Sequence, residues 1–131
     1  MSSFHQSLSA TPRGARLARL LATEQLRAWS LSGLFVERAE CVVAELASNA
    51  VLHGEEAKHD FRLALGYDAG SGVLRIEVAD GHAAPLLTGP DAPCPNAESG
   101  RGLLIVAALS DRWGVRIAGA VGKTVWAELV L

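Results

Sequence analysis

The chain has 131 residues, half of them hydrophobic and a fifth charged, with a formal net charge of −2. That size and mixture fit one domain, 1–131, with a single two-layer core, and exclude a disordered segment. Its 12 Lys and Arg are scattered and no apolar run reaches a membrane span, which argues against direct nucleic-acid binding and against a membrane. Phe4, Gln6 and Leu8 alternate with His5, Ser7 and Ser9 as a short opening strand. Thr11-Pro12 then supplies an N-cap and a proline at the first helical position. Leu17, Leu20, Leu21 and Ala28 form the expected apolar stripe of this first helix, which ends near Ser32-Gly33. A second helix spans about Val36 to His53 and closes on Gly54.

Two strands follow, Asp60 to Tyr67 and Val73 to Ala79, joined by the hairpin material Asp68-Ala69-Gly70-Ser71-Gly72. In the second of them Leu74, Ile76 and Val78 mark a buried face. From Asp80 to Gly100 the periodicity stops, and four of the five prolines fall there; a loop of this length is expected to be functional, such as a lid. Gly102 to Leu109 reads as a short apolar helix, and Trp113–Ile117 with Thr124–Leu131 as a closing strand pair. The order β-α-α-β-β-loop-α-β-β implies an α/β (α+β) two-layer sandwich, with a mixed, largely antiparallel sheet and helices on one face. The start Met1-Ser2-Ser3-Phe4-His5-Gln6 has no signal-peptide layout, and Cys41 and Cys94 lack CxxC spacing, so a cytoplasmic setting is expected. Cys41, inside the second helix, is expected to be a buried free thiol.

The second helix carries the densest chemistry. Glu45, Asn49 and His53 are spaced by four, so each is turned about 40° from the last and the three form one slanting row. The row runs along the edge of the apolar stripe Ala39, Val42, Val43, Leu46, Ala47, Ala50 and Val51. Amide and carboxylate oxygens suit Mg²⁺ beside phosphates, and a glutamate suits a general base. The helix alone reads equally well with Glu45 solvated, Asn49 capping a loop and His53 at the C-terminal dipole. Asp80-Gly81 at a strand end can accept a hydrogen bond from a ligand amine, and is also an ordinary turn. Ser99-Gly100-Arg101-Gly102-Leu103 precedes the apolar helix, where glycines admit a ligand to the backbone and Arg101 matches phosphate oxygens. Gly122-Lys123-Thr124 is not a Walker loop: Ile117 stands where glycine is needed and a strand follows instead of a helix.

Taken in order, these segments resemble the asparagine box, the two glycine boxes and the closing strand of the GHKL (Bergerat-fold) ATPases. Ser110-Asp111-Arg112-Trp113-Gly114-Val115 and Gly122-Lys123-Thr124-Val125-Trp126-Ala127-Glu128-Leu129 bring the likeness closer, to actinomycete anti-sigma-factor serine kinases with a histidine-kinase-like ATPase domain. The resemblance implies the Bergerat ATP-binding fold, with ATP and Mg²⁺ as cofactors. It implies that Asn49 is the Mg²⁺ ligand and that Glu45 is the catalytic acid that orients or activates the attacking group. Asp80, with Gly81 after it and help from Thr124, would hold the adenine; Gly100, Arg101, Gly102 and Leu103 would close over the phosphates, and His53 would sit beside the pocket. The implied function is an anti-sigma-type regulator that phosphorylates a serine of an anti-sigma-factor antagonist in a partner switch. Its partners would be a sigma factor, the antagonist, or both; homodimers are common among the resembling kinases. One departure stands out, because the family's Asp-x-Gly-x-Gly is here Asp80-Gly81-His82-Ala83-Ala84. It favours an alternative function, a non-catalytic nucleotide-sensing adaptor that switches an interaction surface on binding ATP. A nucleotide-free interaction module is the third alternative, and would expose apolar surface on the first helix.

Overall fold

The computed structural model describes residues 1–54, 60–80, 97–118 and 122–131, with the side chains of 52–54, 97–102 and 118 outside the description. The elements run β1 (Ser2–Leu8), α1 (Pro12–Ala28), α2 (Gly33–Gly54), β2 (Phe61–Asp68), β3 (Val73–Asp80), α3 (Ala97–Leu109), β4 (Arg112–Ala118) and β5 (Gly122–Val130). This is the expected order. The five strands form one sheet, β1-β2-β3-β5-β4. Every pairing in it is antiparallel, so the sheet is not mixed. Each hairpin link is short enough to return the chain beside itself, and the β3-to-β4 crossover places β5 between them without needing a parallel pair.

One face of the sheet carries the core. Leu63, Leu65, Leu74, Ile76, Val78, Val125, Ala127 and Leu129 alternate inward and are buried. Above them lies α2, whose Ala39, Val42, Val43, Leu46, Ala47 and Ala50 are all buried, as the apolar stripe requires. Cys41 is exposed, not buried. The helical wheel gives the reason: position 41 lies about 170° from the centre of that stripe, on the solvent side.

The first helix departs further from expectation. Its buried row is Gly14, Ala18, Ala22 and Leu26, a strict i, i+4 repeat, while Leu17 and Leu20 are 43% and 59% exposed. Small residues let the helix lie close to its neighbours. At its start a Cβ on Gly14 would stand 1.9 Å from the Ser9 carbonyl oxygen, so the chain turns into α1 through a space only glycine leaves open. Thr11 Oγ1 accepts from the Gly14 N–H at 3.1 Å, as the N-cap predicts. The helix ends at Ala28, before Ser32-Gly33. There Leu31 N–H donates to the Leu26 carbonyl and Ser30 N–H to that of Arg27, with Ser30 at φ 67°, which is a Schellman stop. Buried Leu26 and Leu31 supply its apolar contact.

Candidate functional site

Two anchors fix the direction of α2 over the sheet. At its start, Arg38 Nη2 donates to the Leu109 carbonyl at 2.9 Å and to Asp111 Oδ2 at 3.4 Å. That carboxylate in turn accepts from Val130 N–H at 2.7 Å, so the start of α2 lies at the Val130 end of β5. Towards its other end, Ala44 and Ser48 share a cleft of about 190 Å³ with Pro12, Ala15, Arg16 and Arg19 of α1. Pro12 lies four residues after Leu8, whose register partner is Phe61, and Phe61 in turn pairs with Asp80. The eleven residues from Arg38 to Asn49 therefore carry α2 about 16 Å along the sheet, from the Val130 end to the Asp80 end.

The same wheel sorts the flanks of α2. Glu40, which binds Arg19 at 3.3 Å, and Ala44 lie on the α1 side. Arg38, Glu45 and Asn49 lie on the opposite flank, towards α3. Both Glu45 and Asn49 are half-buried, at the border between core and solvent. His53 is in the last turn of the same helix.

Beneath this flank the inner face of the sheet changes character. On β2, β3 and β5 its rows are apolar until the last, which across all five strands reads Leu8–Phe61–Asp80–Lys123–Ile117. Asp80 and Lys123 are the buried charged residues of the described chain, at 7% and 8% exposure. They are direct partners on β3 and β5. Ile117, next to Lys123 in the row, is 48% exposed although it faces the helical layer, so the layer leaves this corner open. An acid and an amide on the helix, and an acid and a lysine on the sheet, thus border one open end of the core.

Comparison with known proteins identifies the fold that carries these residues. The family described as "Histidine kinase-like ATPase domain" matches residues 8–129. The chain belongs to that family. Among solved structures, the RsbU and RsbW domains of Rv1364c from Mycobacterium tuberculosis superpose with a TM-score of 0.75 at 22% identity. All of this chain is covered, and it spans 33% of the length of that one. The SiaB–SiaC complex from Pseudomonas aeruginosa superposes with a TM-score of 0.72 at 11% identity, covering 96% of this chain and 88% of that one. A search among curated proteins finds no match. These likenesses establish the same two-layer α+β fold, a histidine kinase-like ATPase domain.

Within this ATPase fold the predicted site residues divide. Glu45, Asn49 and Asp80 converge on the open end. Thr124 does not join them: its register partners are Ala79 and Arg116, which puts it on the outer face of the sheet, away from Asp80. Lys123 takes the inward place instead, and the alternation with Val125, Ala127 and Leu129 carries that signal in the sequence. Gly100, Arg101 and Gly102 lie inside α3, which begins at Ala97, five residues earlier than expected, so in this structure they form helix and not a loop before one. Leu103 packs on the core. Gly81 lies outside the described residues, as do Cys94 and the remainder of the expected lid up to 96. Among the described residues no helix is long and apolar enough to cross a membrane. Nor do three or more His, Cys, Asp or Glu side chains gather there as a metal cage.

Proposed function

We propose that this domain is an ATP-binding, anti-sigma-type regulator that phosphorylates a serine of an anti-sigma-factor antagonist in a partner switch. The observation that carries the reading is the shared end of α2 and β3. Half-buried Glu45 and Asn49 overlook the strand end where Asp80 is buried, in a chain of the histidine kinase-like ATPase family. The donor set fits the ligands this reading requires. Mg²⁺ takes one or two protein oxygens and completes its shell with water and phosphate, so Asn49 alone suffices where the described residues form no cage. When bound, Mg²⁺ neutralises charge on the phosphates. The carboxylate of Asp80 accepts a hydrogen bond from the adenine amino group, and an acid held 7% exposed is desolvated enough to make that bond count.

Glu45 then receives the proton of the attacking serine hydroxyl. The serine oxygen forms a bond to the γ-phosphorus, the bond from that phosphorus to the β–γ bridging oxygen breaks, and ADP leaves with the electron pair. Little else is asked of the protein, because phosphoryl transfer is chiefly positioning and charge stabilisation. That one matched structure is a two-protein complex supports a protein as the partner.

Calorimetric titration of Mg-ATP into wild type and Asn49→Ala tests the pocket. Micromolar binding is expected in wild type, weakened at least about tenfold by the loss of a charge-assisted contact. Mg-ATP with the matched antagonist is expected to yield phosphoserine, and Glu45→Gln to suppress it; no phosphoserine with either protein overturns the kinase. The adaptor reading is favoured by His82-Ala83-Ala84 in place of the family's glycines, and corresponds to ATP bound but neither hydrolysed nor transferred. Exposed Leu17 and Leu20 favour the nucleotide-free interaction module, which bound nucleotide in the purified protein excludes.

A further inference from the structure

Lys123 is an unusual residue for its place. It is 8% exposed on the core side of β5, and among the described residues its ammonium has no ion pair and no hydrogen bond. Its side chain is nearly covered, yet its ammonium keeps contact with solvent at the open corner, where a ligand can bind it. Its neighbours say what that is. On one side stands Asp80, and on the other the exposed apolar surface of Ile117. Directly paired residues of an antiparallel sheet have Cα atoms about 4.5–5.5 Å apart, so the two head groups reach adjacent atoms of one ligand. Asp80 already makes an interaction of its own, and a carboxylate has about four lone-pair sites with which to take a second.

We propose that Lys123 is a base-reading residue of the nucleotide site. Its ammonium donates to N1 of adenine while Asp80 accepts from the neighbouring amino group. A lysine is donor only and a carboxylate acceptor only, so the pair matches the adenine edge, which presents an acceptor beside a donor. The flat base lies against Ile117. This deepens the ATP-binding reading above and rests on it.

The experiment is calorimetric titration of the full chain with ATP, adenosine and 1-deaza-ATP, in which a C–H replaces N1. Wild type, Lys123→Met and Asp80→Asn are compared. Losing one charge-assisted hydrogen bond is expected to weaken binding about tenfold to a hundredfold. Lys123→Met should impose that loss on ATP and adenosine equally, and wild type should show the same loss with 1-deaza-ATP. Lys123→Met should no longer distinguish ATP from its 1-deaza analogue, which makes the coupling between residue and atom direct. A loss for ATP that spares adenosine would assign the ammonium to the phosphates and overturn the proposal. So would 1-deaza-ATP binding wild type as tightly as ATP, a result that needs no variant to fold. If Asp80→Asn abolishes ATP binding while Lys123→Met leaves it intact, the nucleotide site stands and the role of Lys123 falls. If wild type binds neither ATP nor adenosine, both readings fall together.

Discussion

The two faces of strands β3, β5 and β4 handle charge in opposite ways. Outward, Glu77 binds Arg75 at 2.6 Å and Arg116 at 3.5 Å, and Glu128 binds Arg75 at 2.8 Å and Arg112 at 2.6 Å. The Arg75 guanidinium lies 4.4 Å from the centroid of the Trp126 ring, a cation–π contact that ties the network down. Inward, a single charged row interrupts an apolar face, and its lysine has no such partner among the described residues. Charges that answer one another are structural. The inward pair beside the open corner is where the proposed nucleotide would be read.

Arg75 shows the outward balance most clearly. Burial works against its charged form, but hydrogen bonds and attraction from Glu77 and Glu128 outweigh that, so its pKa is raised above the ordinary guanidinium value. A raised folded pKa gives stability that is fully present below the unfolded pKa and fades only as pH rises through the folded one. The contribution of Arg75 is therefore constant across the neutral range, since guanidinium pKa values lie far above it.

Substitutions can press on this contrast. The largest effect is expected from Gly114→Ala on the outer face. A Cβ there would stand 2.9 Å from Trp126 Cζ2 and 3.0 Å from Cε2, so the ring must move and its stack with Arg75 loosens. Overpacking of this kind costs about 1–3 kcal/mol, read by chemical denaturation; an unchanged midpoint would show that the ring gives way freely. Next is Lys123→Met without nucleotide, expected to raise stability by about 1 kcal/mol, because an apolar chain of similar length takes the place of a lysine side chain held 8% exposed on the core face. A loss instead would mean that the ammonium has a stabilising partner within the chain, and the contrast between the faces would collapse. The smallest effect belongs to Arg112→Ala. Its side chain is 69% exposed, so deleting its ion pair with Glu128 should cost under about 1 kcal/mol and less at high salt. A larger cost would make the outer network cooperative, beyond a set of solvated pairs.

The helix that carries Glu45 and Asn49 was legible in the residues, although it begins at Gly33, three residues before the expected Val36, because period 3.6 separates a buried stripe from its polar border without reference to anything else. Strand faces were legible for the same kind of reason, through period two. Thr124 was misplaced by analogy although the alternation of β5 already set it outward. The apolar stripe of α1 was misread because three of its four buried positions are Gly14, Ala18 and Ala22, and Leu17 and Leu20 stay outside where the small residues make the closer contact. The early end of α1 was hidden as well: a serine, not a glycine, adopts the left-handed turn there.

Local pattern thus determined the elements, their order and which side of each meets the core, since these depend on neighbours three, four or two residues away. What only the tertiary structure decided is which distant residues share an end. The cleft between Pro12 and Ser48 and the hold of Arg38 on Leu109 orient α2, and the register of β5 on β3 sets Lys123 against Asp80. Such long-range placement follows from how whole faces pack and how strands register, and no short window of sequence contains it.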